Sequence, residues 1–500
     1  MTARTGKGYP VLLAGLLHEP CAVPDDFSFR SVALTSDETA PNALFFSFAH
    51  EAAEILRDVK AAAVAGASAV VYQRDVEIDE ADFPARFLTI PVKDPRALYG
   101  AACQALFGDP AKKLKVIAIT GTSGKTSTSY IIAGMLAESG EPVGLIGSLG
   151  VYDGKTLLPV RETPPCPYEM AELLDSMVDH GCTHAIIEVS SRSIEEERIA
   201  GLSFDAVCLT NIRRDHLDLH KTVDLYRRTK MRIFNYAKPD ALVVCNPDDR
   251  VTNAALHLIQ QPTMTVGMHP DEAMVTGMRV EQTKSEQTFY IIAGSDAIPV
   301  RTKIIGNEHI YNCLTAAALG ISWGIDLKTV VRGIERVEHI PGRLERIDCG
   351  QPFGVFVDNA NTPESLAAVL KTLREVTEGT LYCVLSAPED RDRSKRPLMG
   401  RTAESLCDRV IVTVNRDETD NDSVSDLLQG MVNASRNVQK VFRRCDAITW
   451  ALSNAAPEDA VLVVGSDPAP DTDTDEIVSD RQFVRHWLYE NQPCLEPFWY

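Results

Sequence analysis

The sequence has no apolar run long enough to span a membrane, which argues against a helical membrane protein. The apolar residues 11–17 are too few for a span, and no small-residue cleavage site follows them, so we expect no signal peptide. The twelve cysteines include no C-x-x-C pair and follow no regular spacing. This pattern argues against a disulfide framework or a zinc site, and it favours reduced thiols in a cytoplasmic protein.

Positive charge is in the minority, because 50 Lys and Arg face 70 Asp and Glu, for a formal net charge of −20. This balance argues against a nucleic-acid-binding protein. It also constrains any nucleotide site, since a triphosphate then needs local N–H groups, a lysine and metal ions to overcome the field of the whole protein. The chain has no solenoid-type repeats, and its 500 residues predict about three domains.

The most informative stretch is residues 115–140, KVIAITGTSGKTSTSYIIAGMLAESG. The apolar run 116–119 predicts a buried strand, and the later apolar spacing predicts one face of a helix that ends at Gly140. Between them lies GTSGKT, a glycine loop of the kind that binds phosphate through N–H groups and a helix N-terminus. Lys125 would reach the outer phosphates, and the Thr126 hydroxyl can hold Mg²⁺. The glycines lie closer together than in GxxxxGK[ST], and a flexible turn is the alternative.

Alternating helix and strand patterns predict an α/β protein of three domains. We expect a small N-terminal α/β domain at 1–95, a central P-loop domain with a largely parallel sheet at 96–341, and a C-terminal Rossmann-like α/β domain at 342–500. Strands at 185–187 and 206–209 are followed by Glu188 and by Thr210-Asn211. Ligand groups in open parallel sheets cluster at the carboxyl ends of strands, so Glu188 and Asn211 should lie near the phosphate loop. Residues 467–476, DPAPDTDTDE, predict a solvated acidic loop.

Two further features suggest metal binding. A carboxylate at a strand end, such as Glu188, can hold a Mg²⁺ whose other ligands are phosphate oxygens and water, although it can also be merely structural. Residues 210–220, TNIRRDHLDLH, place two histidines and two aspartates after a strand. This density favours metal coordination, with a helix cap at Asp215 and ordinary surface histidines as the alternative.

In their order and spacing, these motifs resemble the Mur ligases. The resemblance is carried by GTSGKT, EVSS at 188–191, TN at 210–211, DHLD at 215–218 and TKMRIF at 229–234. It continues in Thr163-Pro164, residues 306–312, PGR at 341–343, DNANTP at 358–363 and DRDRSKRP at 390–397. The chain is most similar to the type that adds the third residue of the peptidoglycan stem peptide to UDP-N-acetylmuramoyl-L-alanyl-D-glutamate. The resemblance spans about residues 110 to 400, and it implies that the N-terminal domain binds the UDP substrate.

The resemblance implies a role for each matching residue. The residues implied in ATP binding are Gly121, Thr122, Ser123, Gly124, Lys125, Thr126, Ser127, Asn312, Arg343 and Asp358. The implied catalytic residues are Lys125, Glu188, His216 and Lys230, and two Mg²⁺ would be held by Thr126, Glu188, His216 and Lys230. Lys230 falls where the family carries a carbamylated lysine (N6-carboxylysine), whereas the residue alone would suggest a surface lysine on a helix. The implied substrate contacts are Thr163, Pro164, Ser190, Arg198 and Arg416.

The implied reaction is an ADP-forming amide ligation in peptidoglycan synthesis, and so in cell wall biogenesis, cell shape and cell division. The substrate carboxylate attacks the γ-phosphate of ATP, and an amine then displaces phosphate from the acyl phosphate. Closure of the third domain would exclude water from this intermediate. The implied partners are UDP-muramoyl dipeptide and an amino acid, and we expect a monomer that binds neither nucleic acid nor a membrane.

Departures from the family pattern are concentrated in the last domain. Asn359 and Asn361 replace a tyrosine and a histidine whose rings contact the nucleotide, and Pro388-Glu389 replaces a glycine pair. His309 replaces an asparagine, and Arg192 replaces a histidine. The D-N-P-R that binds diaminopimelate corresponds to residues 413–418, TVNRDE, and the later G-K-G-H-E to residues 464–468, VGSDP. The added amino acid therefore stays open.

These departures leave two other interpretations. The chain would be a non-catalytic or repurposed paralogue that keeps the fold and nucleotide binding and acts as a scaffold or regulator. A ligase acting on a folate or a polyamino acid is the third interpretation, and Thr163-Pro164 and Arg198 argue against it.

Overall fold

The computed structural model describes residues 4–7, 10–17, 23–84, 87–159, 162–269, 272–387, 392–414, 421–432, 437–465 and 479–491. Within these ranges three principal sheets follow one another along the chain, each packed against helices. The predicted α/β fold is confirmed. The departures at 388–389, Arg416 and the acidic loop 467–476 lie outside the described residues.

The N-terminal sheet has the order β1-β4-β5-β6-β7 and is parallel except for β1. Its strands, the separate pair β2–β3 and its first helix are β1 (Arg4–Thr5), β2 (Val11–Leu12), β3 (Ser28–Phe29), β4 (Ser31–Ala33), β5 (Leu44–Phe46), α1 (Ala52–Val64), β6 (Ala69–Gln73) and β7 (Leu88–Val92). Helix α1 buries Ile55, Val59 and Ala62, which are spaced as one helix face. It ends just before Gly66, where φ is +107° and glycine is the favoured residue.

The central sheet has the order β11-β10-β9-β12-β8-β13-β14-β15-β16-β17-β18, and its strands from β9 to β16 are parallel. Its elements are α2 (Pro95–Leu106), α3 (Pro110–Lys113), β8 (Lys115–Thr120), α4 (Lys125–Glu138), β9 (Val143–Gly147), β10 (Gly150–Tyr152), β11 (Leu157–Leu158), α5 (Pro167–Asp179), β12 (His184–Val189), α6 (Ser191–Glu195), β13 (Phe204–Leu209), α7 (Leu217–His220), α8 (Val223–Met231), β14 (Ala237–Cys245), α9 (Arg250–Ala255), β15 (Thr263–Gly267), β16 (Val275–Gln282), β17 (Gln287–Ala293), β18 (Asp296–Thr302), α10 (Asn307–Ser322) and α11 (Leu327–Glu335).

Both faces of the central sheet are covered, as its unbroken apolar strands require. Along β8, Val116 and Ala118 belong to one core cluster and Ile117 and Ile119 to the other. Helices α4 and α11 pack closely, since a Cβ on Gly333 would lie 2.5 Å from Cα of Met135. This packing fixes α4, and with it the loop between β8 and α4.

The C-terminal sheet has the order β19-β20-β24-β21-β22-β23 and is parallel from β20 to β23. Its elements are β19 (Glu345–Arg346), β20 (Gly354–Asp358), α12 (Pro363–Val376), β21 (Leu381–Leu385), α13 (Arg396–Leu406), β22 (Arg409–Val412), α14 (Asn421–Gln429), β23 (Val438–Lys440), α15 (Arg444–Asn454), β24 (Ala460–Val464) and α16 (Asp480–Asn491). Short 3-10 helices occur at Leu13–Leu16, Ser36–Glu38, Glu80–Asp82, Arg232–Tyr236, Leu256–Leu258 and Arg393–Lys395. Core residues lie on both faces of this sheet too.

Contacts between the sheets bear on the predicted domain boundaries. Helix α2 packs on the N-terminal sheet through Leu98 and Ala102, and the same core cluster includes Ala171 of α5. The boundaries 1–95, 96–341 and 342–500 stay a prediction, because α2 packs both against the N-terminal sheet and against α5 of the central unit. None of the helices in the described ranges is long and apolar enough to cross a membrane.

Candidate active site

A cavity of about 360 Å³ lies between the central strands and the start of the C-terminal unit. Its volume is within the usual range for a small-molecule site. The described residues that line it are Thr122, Ser123, Gly124, Lys125, Thr126, Ser127, Ser148, Thr163, Glu188, Ser190, Arg213, Asp215, His216, Ile304, Ile305, Gly306, Glu308, His309, Asn312, Arg343, Leu344, Asp358, Asn359, Ala360, Asn361, Ser365, Ala368, Val369 and Thr372.

The glycine loop joins β8 to α4, as the sequence predicts. Gly121 has φ +146°, and a Cβ there would lie 1.9 Å from Oγ1 of Thr210, so the close approach requires glycine. Asn211 holds the loop from the neighbouring strand end: its carbonyl accepts the N–H of Thr122 at 2.9 Å, and its Oδ1 accepts the N–H of Ser123 at 3.0 Å. The predicted proximity of Asn211 to the loop is confirmed.

Helix α4 begins at this loop with an N-terminus that suits an anion. Gly124 is its N-cap, with φ +86°, and glycine has no side chain to cap the first N–H groups. The Lys125 ammonium donates to the carbonyls of Gly121 and Thr122 at 3.0 and 3.1 Å. Uncapped N–H groups and an ammonium therefore meet at one point, which is the arrangement that binds phosphate.

Glu188 lies beside Thr126, at the end of β12. The Thr126 hydroxyl donates to Oε2 of Glu188 at 2.9 Å, and the N–H of Ser148 donates to Oε1 at 3.2 Å. Burial raises the pKa of Glu188, while Lys125 and Arg343 act in the opposite direction. Nη2 of Arg343 donates to the Thr126 hydroxyl at 3.1 Å, so a residue after the central domain contacts the phosphate loop.

Lys230 is buried behind the loop, at 1% exposure, so the alternative of a surface lysine is wrong. Its Nζ donates to the carbonyl of Gly121 at 2.9 Å and lies 5.2 Å from the ring centroid of Tyr226. Burial, reinforced by the charge of Lys125, holds the pKa of Lys230 well below its ordinary value. This environment favours the neutral amine, which is the nucleophilic form of the side chain, over the ammonium.

The residues of the stretch 215–220 have separate contacts. Oδ1 of Asp215 accepts the N–H of His216 and Nζ of Lys395, both at 2.9 Å, and the Asp215–Lys395 pair is buried. His216 lines the cavity, and burial lowers the pKa of His216 to about 4. Asp218 is exposed, and His220 packs against Tyr226. Across the described ranges, no three His, Cys, Asp or Glu side chains gather closely enough to hold a metal ion by themselves.

The residues assigned to ATP across the domain junction also face the cavity. Oδ1 of Asn312 accepts the Thr128 hydroxyl at 3.1 Å, and a Cβ on Gly124 would lie 2.6 Å from it. Asp358 accepts the N–H groups of Leu344 at 2.6 Å and Ala360 at 2.7 Å, and burial raises the pKa of Asp358. Asp358 thereby fixes the turn that follows Arg343.

The residues assigned to the UDP substrate are only partly brought to the cavity, since Pro164 and Arg198 are not among its lining residues. Thr163 and Ser190 line it, and Ser190 also caps α6. Arg198 donates to the carbonyl of Pro164 at 3.4 Å and pairs with Glu162 and Glu196. Arg416 lies outside the described residues.

Sequence reasoning missed three contributors. Ser148 bonds both Thr126 and Glu188, Tyr226 bonds the Thr122 hydroxyl at 2.8 Å, and Lys395 pairs with Asp215. Lys395 lies within the DRDRSKRP motif, so the resemblance gave a signal for it. Ser148 and Tyr226 lie in no motif, and only their contacts identify them.

Comparisons with known proteins show the family and the fold of the chain. The model for the Mur ligase middle domain matches residues 119–320, and that for the Mur ligase glutamate ligase domain matches residues 342–467. The chain is 32% identical over 473 residues to a UDP-N-acetylmuramoyl-L-alanyl-D-glutamate–2,6-diaminopimelate ligase of Bacillus velezensis, covering 91% of this chain and 92% of that one.

Two solved structures share the fold. A structure of a UDP-N-acetylmuramoyl-L-alanyl-D-glutamate–2,6-diaminopimelate ligase superposes with a TM-score of 0.67 at 24% identity, covering 92% of this chain and 94% of that chain. A MurF ligase from Thermotoga maritima in complex with ADP gives 0.58 at 15% identity, covering 87% and 93%. With two family domains in order and a relative matched over nearly its full length, the chain belongs to the Mur ligase family.

Proposed function

We propose that the protein is an ATP-dependent acid–amino-acid ligase that adds an amino acid to UDP-N-acetylmuramoyl-L-alanyl-D-glutamate and releases ADP and phosphate. One observation supports it above the others: the phosphate loop, Glu188 and His216 line one cavity, and Arg343 enters that cavity from beyond the central sheet. The Bacillus velezensis relative is named for this reaction with diaminopimelate as the amino acid.

In this proposal the site residues divide among ATP, the UDP-sugar peptide and the incoming amino acid. The phosphates of ATP bind to Gly121, Thr122, Ser123, Gly124, Lys125, Thr126 and Ser127, and the rest of the nucleotide to Asn312, Arg343 and Asp358. The UDP-sugar peptide binds to Thr163, Pro164, Ser190 and Arg198. Arg416 is assigned to the incoming amino acid by the resemblance alone.

Two Mg²⁺ ions would lie between these groups, held by Thr126, Glu188, His216 and Lys230 as its carbamate. The donor chemistry fits: carboxylate and hydroxyl oxygens suit Mg²⁺, and ATP oxygens and water would complete each shell. Burial favours the neutral form of the Lys230 amine, which is the form that adds CO₂, and the product is a carboxylate where a bare ammonium would repel a cation. When bound, the ions would neutralise charge on the transferring phosphoryl group.

The chain's own residues then perform two tasks before the amide forms. The loop N–H groups, α4 and Lys125 orient the γ-phosphate towards the substrate carboxylate, which attacks phosphorus as ADP leaves. Lys125 and Arg343 stabilise the negative charge that develops. The amine of the second substrate then attacks the acyl phosphate carbon, and phosphate leaves as the amide forms.

Nζ of Lys395 lies 2.9 Å from Oδ1 of Asp215, and this buried ion pair holds the C-terminal unit over the site. Closure of the C-terminal unit excludes water, which would otherwise hydrolyse the acyl phosphate. We also propose the domain boundaries 1–95, 96–341 and 342–500, a monomer, a cytoplasmic location and a role in cell wall biogenesis, cell shape and cell division.

A second candidate is a non-catalytic paralogue that binds nucleotide as a scaffold or regulator. It is favoured by Asn359 and Asn361, which line the cavity where the family carries aromatic rings. It predicts ATP binding without turnover.

Phosphate release distinguishes the two candidates. Purified protein, ATP, Mg²⁺ and UDP-muramoyl dipeptide are incubated with a panel of amino acids, and the ligase releases phosphate only when one amino acid is present. With ¹⁸O in the acceptor carboxylate, an acyl phosphate route places one ¹⁸O in the released phosphate. Lys125→Ala should lower turnover about 100-fold or more. If the protein binds ATP but releases phosphate with none of the amino acids in the panel, the scaffold is favoured.

A further inference from the structure

One end of the cavity contains a buried polar atom to which the proposed function assigns no role. His309 lines the cavity and is 4% exposed. Its Nε2 lies 3.4 Å from Sγ of Cys313, whereas its Nδ1 has no hydrogen-bond partner within the described structure. A buried nitrogen without a partner costs free energy, and a ligand atom that bonds to it recovers that cost.

The position of His309 follows from helix α10. Asn312 contacts Thr128 and approaches Gly124, so this turn of α10 lies against the start of α4. His309 precedes Asn312 by three residues, which places it on the same helix face, about 4.5 Å nearer the helix N-terminus. There α10 meets the C-terminal unit, since a Cβ on Gly306 would lie 2.8 Å from Oγ1 of Thr372.

The cavity lining includes aliphatic side chains as well as polar ones. Ile304, Ile305, Leu344, Ala368 and Val369 are aliphatic, whereas Glu308, Ser365 and Thr372 are polar. Among the described lining residues the aromatic rings are those of two histidines, and His216 belongs to the phosphate-loop end. Burial lowers the pKa of His309 to about 3, so its ring is neutral at physiological pH. Aliphatic side chains beside one neutral imidazole suit a flat, uncharged heteroaromatic ring, which packs on the former and bonds to the latter.

We propose that His309 binds the base of the nucleoside triphosphate through Nδ1 and selects the nucleotide by its base. This inference rests on the proposed function, because it takes the triphosphate to lie on the glycine loop. Whichever ring nitrogen carries the proton, Nδ1 offers one hydrogen bond to the edge of a base. One such bond between neutral groups changes affinity by about 3- to 10-fold.

The test compares a ligand that has a base with one that has none. Magnesium complexes of ATP and of inorganic tripolyphosphate are titrated into the wild type, His309→Ala and His309→Asn. His309→Ala should weaken ATP binding about 3- to 10-fold and leave tripolyphosphate binding unchanged. His309→Asn should recover part of the loss, because its amide both donates and accepts. The differences in affinity among ATP, GTP and CTP should also become smaller in His309→Ala than in the wild type.

His184→Ala is the matched control, because His184 is a buried histidine that does not line the cavity. It should leave the ratio of the two affinities unchanged. A ratio unchanged in both His309 variants overturns the inference and leaves the proposed function intact. A wild type that binds neither ligand overturns both. If His309→Ala does not fold, the relative affinities of His309→Asn for ATP, GTP and CTP test the inference instead. Relative affinities equal to those of the wild type contradict the inference.

Discussion

Replacing Gly121 with alanine tests whether the phosphate loop depends on its packing against the neighbouring strand end. A Cβ on Gly121 would lie 1.9 Å from Oγ1 of Thr210 and 3.1 Å from the carbonyl oxygen of Asn211. The carbonyl of Gly121 also accepts hydrogen bonds from Lys125 and Lys230. We expect Gly121→Ala to displace the loop from all four residues and to abolish ATP binding.

The cost to stability has two parts. An alanine held at φ +146° is strained by about 1–3 kcal/mol. Overpacking a buried contact costs about another 1–3 kcal/mol. Since about 1 kcal/mol lowers Tm by roughly 2–4 °C in a unit of this size, Tm should fall by about 5–20 °C. Thermal unfolding and calorimetric titration with Mg-ATP measure the two effects.

Gly140→Ala supplies the matched control at the other end of α4. Gly140 also has a positive φ, +84°, but apart from its chain neighbours no described residue lies within 4 Å of a Cβ there. It should cost only about 1–2 kcal/mol of backbone strain and leave ATP binding unchanged. Adding Thr210→Ala to Gly121→Ala removes the nearest clashing atom and should restore part of the lost stability. The reasoning is refuted if Gly121→Ala binds ATP as the wild type does and unfolds at the same temperature as Gly140→Ala.

Three further predictions concern charged groups. Removing either partner of the buried Asp215–Lys395 pair should cost about 2–5 kcal/mol, and the double alanine variant should cost less than the sum; additive losses in thermal unfolding would contradict the coupling. Burial raises the pKa of Glu188 in the folded protein above its value in the unfolded chain. The protonated Glu188 side chain therefore contributes fully to stability below the unfolded-state pKa, and this contribution is lost as pH rises through the folded-state pKa. Glu188→Gln should therefore gain Tm relative to the wild type as pH rises from about 4 through the raised pKa of Glu188, while losing turnover, and a pH-independent difference would disprove this. Lys230→Ala should abolish turnover and the ¹³C signal that labelled bicarbonate gives in the wild type, and short carboxylic acids should partly restore turnover; unchanged activity would end the carbamate proposal.

The sequence predicted the central strands well because they are buried on both faces. Residues 116–119 and 185–187 are unbroken apolar runs, and they form the cores of Lys115–Thr120 and His184–Val189. The glycine loop was predictable too, since Gly121 and Gly124 have positive φ values that glycine favours. Local chemistry determines these features.

Contacts between distant elements could not be predicted in the same way. Arg343 reaches the Thr126 hydroxyl, 217 positions away, only because the C-terminal unit packs over the loop. The burial of Lys230 depends on where α8 meets the loop, and no helix pattern reveals that position. The density of acidic and histidine residues at 210–220 favoured metal coordination, which stays a prediction, and it gave no sign that Asp215 pairs with Lys395.

The central claim is that residues far apart in the sequence form one Mg-ATP site across a domain junction. Calorimetric titration of Mg-ATP into the wild type, Lys125→Ala and Arg343→Ala tests it most directly. The account predicts one binding event per chain, weakened about 10-fold or more in each variant, because each loses a charge-assisted contact to phosphate. Wild-type affinity in Arg343→Ala, or no heat of binding in the wild type, would contradict it.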